Sequence, residues 1–354
     1  MNRIFEWVDE RTGLSGPVRD FLNYPIPKYV HRNFLYTLGG LTLITFMLQA
    51  VTGILLAFYY DPSTEEGAYD SVDYINYQLP LGWLIRGLHH YGSSAMVILV
   101  SLHMLRTYYF SAYKKPRELN WLTGVLLFFL VLSFGFTGYL LPWDQKGYWA
   151  TKVGTEIAGS VPLIGSFIMH MMRGGDALGQ ATLSRFYAGH ILLLPASVAL
   201  LIVIHIFQLR HHGMAPAITT KAQAQSKTFV PFFPHWVLND TLAGLGLLAL
   251  LVYMTWANHA PLGFPADPTS NNFVPRPEWY FMFYFQLLKY FPGALEPVAT
   301  ILIPLFLFGS MILLPFVDLS EERRPWRKPV TTLVSIFYIV VIIVFTILGM
   351  AAYA

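Results

Sequence analysis

The stretch RGLHHYGSSAMVILVSLHMLR, residues 86–106, carries two histidines fourteen positions apart in an apolar run, and that spacing decides the fold. At ~100° and ~1.5 Å per residue, a helix through it puts His89 and His103 on one face, about 21 Å apart. A histidine inside a lipid-spanning helix is costly enough to mark function. A second apolar run repeats the pattern with His190 and His205, fifteen apart, or about 22 Å along their helix. With both helices crossing the membrane in the same direction, His89 comes level with His190 and His103 with His205. Each pair can then grip one iron from opposite sides. Heme iron takes two axial imidazoles, whereas zinc wants three or four ligands converging at one depth. The spacing therefore specifies two bis-histidine hemes, one near each membrane face. For any single histidine the plain alternative is a hydrogen-bonded core residue, and it weakens sharply for two matched pairs. His90 points about 100° away from His89 and reads as a loop or interface residue. His31, His170, His211, His212, His235 and His259 lie at or beyond the ends of apolar runs.

The whole chain shares this apolar character. Of its 354 residues 55% are hydrophobic and 12% charged, with mean hydropathy +0.49, against roughly 25% charged in a soluble domain. Seven apolar runs, about 33–58, 84–109, 119–139, 184–209, 237–257, 297–316 and 331–352, are long enough to cross ~30 Å of hydrocarbon. Lipid leaves no partner for a free backbone group, and the ten-residue alternation of a membrane barrel is missing, so the spans are helices. Sixteen of the 23 Lys and Arg residues fall on one side, among them Arg3, Arg32, Lys114, Lys221, Lys227 and Lys328. The positive-inside rule puts that side and the N-terminus in the cytoplasm, with the C-terminus opposite; the faces are called n and p. Two long p-side connections, 140–183 and 258–296, are rich in Trp, Tyr, Gly and Pro and read as covers over a site. Residues 3–22 are expected to form an interfacial amphipathic helix, weakened by Gly13 and Gly16. That segment lacks the features of a signal peptide and is expected to remain on the mature protein. The absence of cysteine excludes disulfides, thiolate metal sites and thioether-linked cofactors. The expected architecture is an all-α membrane protein of seven transmembrane helices: an n-side N-terminal segment (1–32), a four-helix diheme bundle (33–213), a polar n-side linker (214–235) with Lys221, Gln223, Gln225 and Lys227, and a three-helix C-terminal part (236–354).

A flat macrocycle between helices needs room, and glycines recur at the histidine period. Gly39 and Gly53 on the first span, and Gly124 and Gly138 on the third, are each fourteen apart, so one residue without a side chain faces each heme level. Glycine is also common in membrane helices for helix packing alone. Arg86 lies three before His89, Arg106 three after His103, and Arg185 five before His190, each placed to offset a propionate. Snorkelling to the interface is their ordinary alternative.

These residues resemble cytochrome b of the bc-type quinol-oxidising complexes, over nearly the whole chain. The motifs are RGLHHYGSSAMVILVSLHMLR (86–106), KKPRELNWLTGVLLFFLVLSFGFTGYLLPWDQKGYWA (114–150), TLSRFYAGH (182–190) and PEWYF (277–281). The fifteen-residue spacing on the fourth span, and three helices after the linker, resemble the split photosynthetic form fused to its three-helix subunit IV. That form tethers an additional n-side heme through a cysteine. Thr37 stands at the matching position here, which excludes a covalent third heme.

The resemblance implies two non-covalent hemes b, a quinone/quinol substrate and a Q-cycle. Glu278 would accept the proton of quinol on the p side, with Tyr280 close by. Pro277, Trp279, Tyr139, Pro142, Trp143, Lys146, Gly147 and Trp149 would line that pocket. Arg210 and Asp240 would serve an n-side quinone, although Asp240 also fits a helix cap. Implied partners are a Rieske-type iron-sulfur protein, a c-type cytochrome subunit, the lipid bilayer and a second copy of the complex, with no nucleic acid; the implied location is a bacterial cytoplasmic or intracytoplasmic membrane. Two other classes compete. A diheme b anchor of a dehydrogenase or hydrogenase would use histidine pairs but not the PEWY loop, and a transporter or channel would explain the spans but not the histidine ladder.

Overall fold

Each of the seven apolar runs folds as one long helix. In the computed structural model, which describes residues 2–31, 33–65, 67–215, 228–270 and 273–352, six of them have both the length and the apolarity to cross a membrane: Leu38–Ala57, Glu118–Gly138, Gln180–His212, Phe232–Ala257, Gly293–Val317 and Pro329–Ala351. The remaining run is the 28-residue helix Gly82–Tyr109, whose apolar content is diluted by Arg86, His89, His90, His103 and Arg106. At ~1.5 Å per residue it is about 42 Å long. Leu38–Ala57 lies along Gly82–Tyr109, and Glu118–Gly138 along Leu194–His212, while Val237–Ala257 packs against both Gly82–Tyr109 and Leu38–Ala57.

The packing alternates small and large residues along the bundle. Phe46 stands midway between Gly39 and Gly53, Met96 midway between His89 and His103, and Val131 midway between Gly124 and Gly138. Together with Val97, Val100, Phe128, Leu132 and Tyr280 they form one apolar cluster. A packed apolar layer thus separates the two histidine levels.

Gln180–His212 is not a uniform α-helix: it makes a π-turn at Gly189–Leu193. Pro195, two residues beyond, has no N–H for the carbonyl of Ile191, and its ring opens the hydrogen-bond ladder there. A π-turn absorbs one extra residue. Fifteen residues from His190 to His205 therefore turn through the same angle as the fourteen from His89 to His103.

On the p side the long connections fold into short helices, Ala68–Tyr77, Gln145–Gly159, Gly165–Arg173 and Trp279–Leu288. Asp144 joins the two covers. It caps Gln145–Gly159 by accepting from the Gly147 N–H at 2.8 Å, and accepts from the Gly263 N–H at 3.0 Å. On the n side Pro25–Pro27 pairs antiparallel with Phe229–Pro231. The expected amphipathic segment is two helices, Asn2–Thr12 and Ser15–Leu22, broken where Gly13 takes φ +60°. Asp318 ties the last two spans to the first four: Lys114 donates to it at 2.9 Å, and Lys328 and Tyr113 donate to its other oxygen. Arg32 and residues 216–227 of the expected linker, with Lys221, Gln223, Gln225 and Lys227, lie outside the described residues, as do the side chains of Arg3 and His31.

Candidate functional site

The four span histidines meet in two pairs. His89 faces His190 with ring centres 6.3 Å apart, and His103 faces His205 at 6.5 Å. That gap suits one metal ion at its centre, with a bond of ~2.0–2.1 Å to each imidazole plus the distance from each ring centre to its nitrogen. Two imidazoles are too few donors by themselves, and among the described residues no group of three His, Cys, Asp or Glu could hold a metal ion. The pairs therefore fit an ion whose remaining donors come from a flat ring.

Each of the four glycines lies against one imidazole. A Cβ on Gly39 would come 3.1 Å from His103, on Gly53 3.2 Å from His89, on Gly124 3.4 Å from His205 and on Gly138 2.7 Å from His190. Three of the four are preceded by a threonine whose hydroxyl meets the same ring. Thr52 Oγ1 is 2.9 Å from His89 Nδ1, Thr123 Oγ1 3.0 Å from His205 Nδ1, and Thr137 Oγ1 2.9 Å from His190 Nδ1. The sequence reading missed these threonines, although the Thr-Gly pair at three of the four facing glycines was visible.

The three arginines differ. Arg86 is buried and donates to Asn76 Oδ1 (3.0 Å) and to the carbonyls of Ala260 (2.8 Å) and Pro261 (2.7 Å), which fastens the second p-side cover. Arg185 donates to the carbonyls of His170 (3.1 Å) and Met171 (2.5 Å). Arg106 instead stacks over Tyr36, 3.6 Å from the ring centre, and its buried Nε has no partner. Among the described residues, Arg106 is the one of the three with a buried donor left unpartnered.

On the p side, residues far apart in sequence converge. Lys146 and Glu278 form an ion pair at 2.5 Å, with side chains 36% and 19% exposed. Glu278 sits at the N-terminus of Trp279–Leu288, and the Trp279 indole donates to Ser94 Oγ at 3.2 Å. This docks the PEWY turn on the Gly82–Tyr109 helix. His90 lies within the same helix, one turn before Ser94, not in a loop, and its ring meets Tyr91 edge-on. Tyr280 reaches across to Gly135, where a Cβ would come 2.7 Å from its hydroxyl. Tyr139 faces Tyr280 and Glu278 electrostatically. Gly147 lets its helix approach the Tyr139 carbonyl, which a Cβ would meet at 2.4 Å. Trp143 packs into the core beneath the covers, with Trp149 at its edge, where the Trp149 indole donates to Gln145. Pro142 and Pro277 fix the chain just before Trp143 and Glu278.

On the n side, Arg210 and Asp240 meet different partners. Arg210 lies 3.7 Å from the Phe21 ring centre and 4.8 Å from that of Tyr24, and donates to the Phe21 carbonyl at 3.3 Å. Asp240 presses against Gly40, beside the His103 level, and its buried Oδ1 has no partner.

Comparison with known proteins places this arrangement. Residues 21–213 match the family model described as cytochrome b/b6/petB, and residues 265–354 match that described as cytochrome b (C-terminal)/b6/petD. The cytochrome bc complex cytochrome b subunit of Chlorobaculum thiosulfatiphilum is 36% identical over 98% of this chain and 81% of its own length. Cytochrome b6 of Synechococcus sp. (strain JA-3-3Ab) is 43% identical over 61% of this chain and 99% of its own. A chain of a hyperthermophilic respiratory Complex III superposes with TM-score 0.85 at 30% identity, covering 98% of this chain and 91% of that one. With both family models matched in order on one polypeptide, the chain belongs to the cytochrome b/b6 family, the heme-bearing electron-transport subunits of membrane bc complexes.

Proposed function

We propose that the chain is the cytochrome b subunit of a quinol:cytochrome c, or similar acceptor, oxidoreductase. It crosses the membrane seven times, with Gly82–Tyr109 as the second span and the N-terminus in the bacterial cytoplasm. The observation that carries this is the pair of facing imidazole couples at two depths, 6.3 and 6.5 Å between ring centres. His89 with His190 would hold the p-side heme b, and His103 with His205 the n-side one. When bound, the two hemes supply one-electron storage at two depths and so link a p-side quinol to an n-side quinone in a Q-cycle.

The chain's own residues do the proton work. At the p face Glu278 takes the proton of a quinol hydroxyl, and Lys146 holds its carboxylate toward Gln145–Gly159, away from the dry interior. Tyr280 and Tyr139 wall the pocket against the Met96–Val131 cluster and exclude water from the bundle. At the n face Asp240, with one oxygen unpartnered, takes part in protonating quinone beside the His103 level, and Arg210 stiffens the N-terminal segment over it. The first electron from quinol must leave the chain, because it has no cysteine to hold an iron-sulfur cluster or a thioether-linked heme. A Rieske-type protein and a c-type cytochrome subunit would receive it, within a complex that would pair as a dimer.

The test is a reduced-minus-oxidised spectrum of the purified complex. It should show a low-spin b-type α-band that loses one component in His190→Ala and the other in His205→Ala. A chain with no such band would be a channel or transporter instead.

A further inference from the structure

We infer that Thr52, Thr123 and Thr137 are positioning residues for three of the four axial imidazoles, and that their uneven placement, two at the p level and one at the n level, biases electrons toward the n-side heme. The inference rests on the two-heme reading above.

Each hydroxyl has one hydrogen, and in all three cases it is already committed. Thr52 donates to the Leu48 carbonyl at 2.8 Å and Thr137 to that of Ser133 at 2.9 Å. Thr123 lies 2.9 Å from the Asn120 carbonyl and 3.1 Å from Gln208 Oε1, both acceptors. Toward the histidines these oxygens can only accept. The proton must therefore sit on Nδ1 of His89, His190 and His205, and the lone pair on Nε2 is left for the metal. Each ring is thus held in one tautomer from one side.

His103 has no such support. Leu38 stands where the other facing helices carry threonine, so the residue before Gly39 brings no hydroxyl to the ring. Among the described residues its imidazole meets no hydroxyl or carbonyl. An acceptor on Nδ1–H makes an imidazole a stronger electron donor and stabilises the oxidised metal. At the p level both ligands carry one, and at the n level only His205 does.

The test is redox titration and low-temperature EPR of the purified complex carrying Thr52→Val, Thr137→Val or Thr123→Val, each beside the matching Thr→Ser. Thr52→Val and Thr137→Val should shift the p-side heme toward reduction by up to about tenfold, about 59 mV for one electron, and leave the n-side heme alone. Thr123→Val should move only the n-side heme. The serine variants should keep wild-type potentials and EPR signals. Loss of one heme in a valine variant but not in its serine partner would support the same role. Unchanged potentials with both hemes in place, or equal effects of valine and serine, would overturn it. Wild-type complex without two low-spin signals would instead overturn the two-heme reading.

Discussion

At the scale of single residues, the site is organised by what glycine lacks and what threonine offers. The closest of the four glycine–imidazole approaches is at Gly138, where a Cβ would sit 2.7 Å from His190, and the loosest is at Gly124, at 3.4 Å from His205. The first distance forces the ring to move and the second is ordinary van der Waals contact. Gly138→Ala should cost about 1–3 kcal/mol of overpacking and lower p-side heme occupancy, while Gly124→Ala keeps the n-side heme. Pyridine hemochrome quantitation with EPR separates them, and equal occupancy in both variants would contradict the close approach. At the quinol pocket, Glu278→Gln removes the proton acceptor and the charge facing Lys146. Quinol-dependent turnover should fall by at least about 10²-fold with both hemes retained, and unchanged turnover would remove Glu278 from the chemistry.

At the scale of elements, helical period carries most of the design and local irregularities correct it. The π-turn at Gly189–Leu193 gives two helices with different histidine spacings the same presentation. That correction was half legible: Pro195 was visible, but which turn it would open depends on the packing around it. The n-side junction depends on one carboxylate. Burial pushes the Asp318 carboxyl up, and hydrogen bonds from Lys328, Tyr113 and Lys114 outweigh that, so it is held well below its ordinary value of 3.8. A carboxyl lowered in this way stabilises the fold fully above its unfolded value. The contribution is lost only as pH falls below 3.8 through the lower folded value. Lys114 and Lys328 are 7% and 8% exposed. Asp318→Asn would leave them buried without a counter-charge and should destabilise the joint between the first four and last two spans by about 3 kcal/mol. Thermal unfolding in detergent at pH 7 reads this; a variant as stable as the parent would show the cluster to be incidental.

At the scale of the whole molecule, the two histidine levels are about 21 Å apart in a hydrocarbon layer of ~30 Å, about 70% of the path. An electron moved inward against the membrane potential then works against about 1.6 kcal/mol per 100 mV. The n-side heme should have the higher midpoint potential, by roughly 70 mV for each 100 mV opposed. Redox titration with histidine variants to assign each component checks this, and the reverse order would defeat the transmembrane path. The apolar cluster of Phe46, Met96, Val97, Val100 and Val131 lies between the two levels.

The sequence by itself determined the spans, the two histidine levels and the glycine opposite each ring, because these follow from the fixed rise and turn of a helix held straight in lipid. It also carried the family motifs. Only the tertiary structure decided that Lys146 meets Glu278, that Arg86 closes on the Ala260 and Pro261 carbonyls while Arg106 stacks on Tyr36, and that Asp144 ties the two p-side covers together. Those contacts join residues up to 175 positions apart through irregular loops. No period runs through such loops, so their ends are set by packing and by which hydrogen-bond partners remain once the helices are in place.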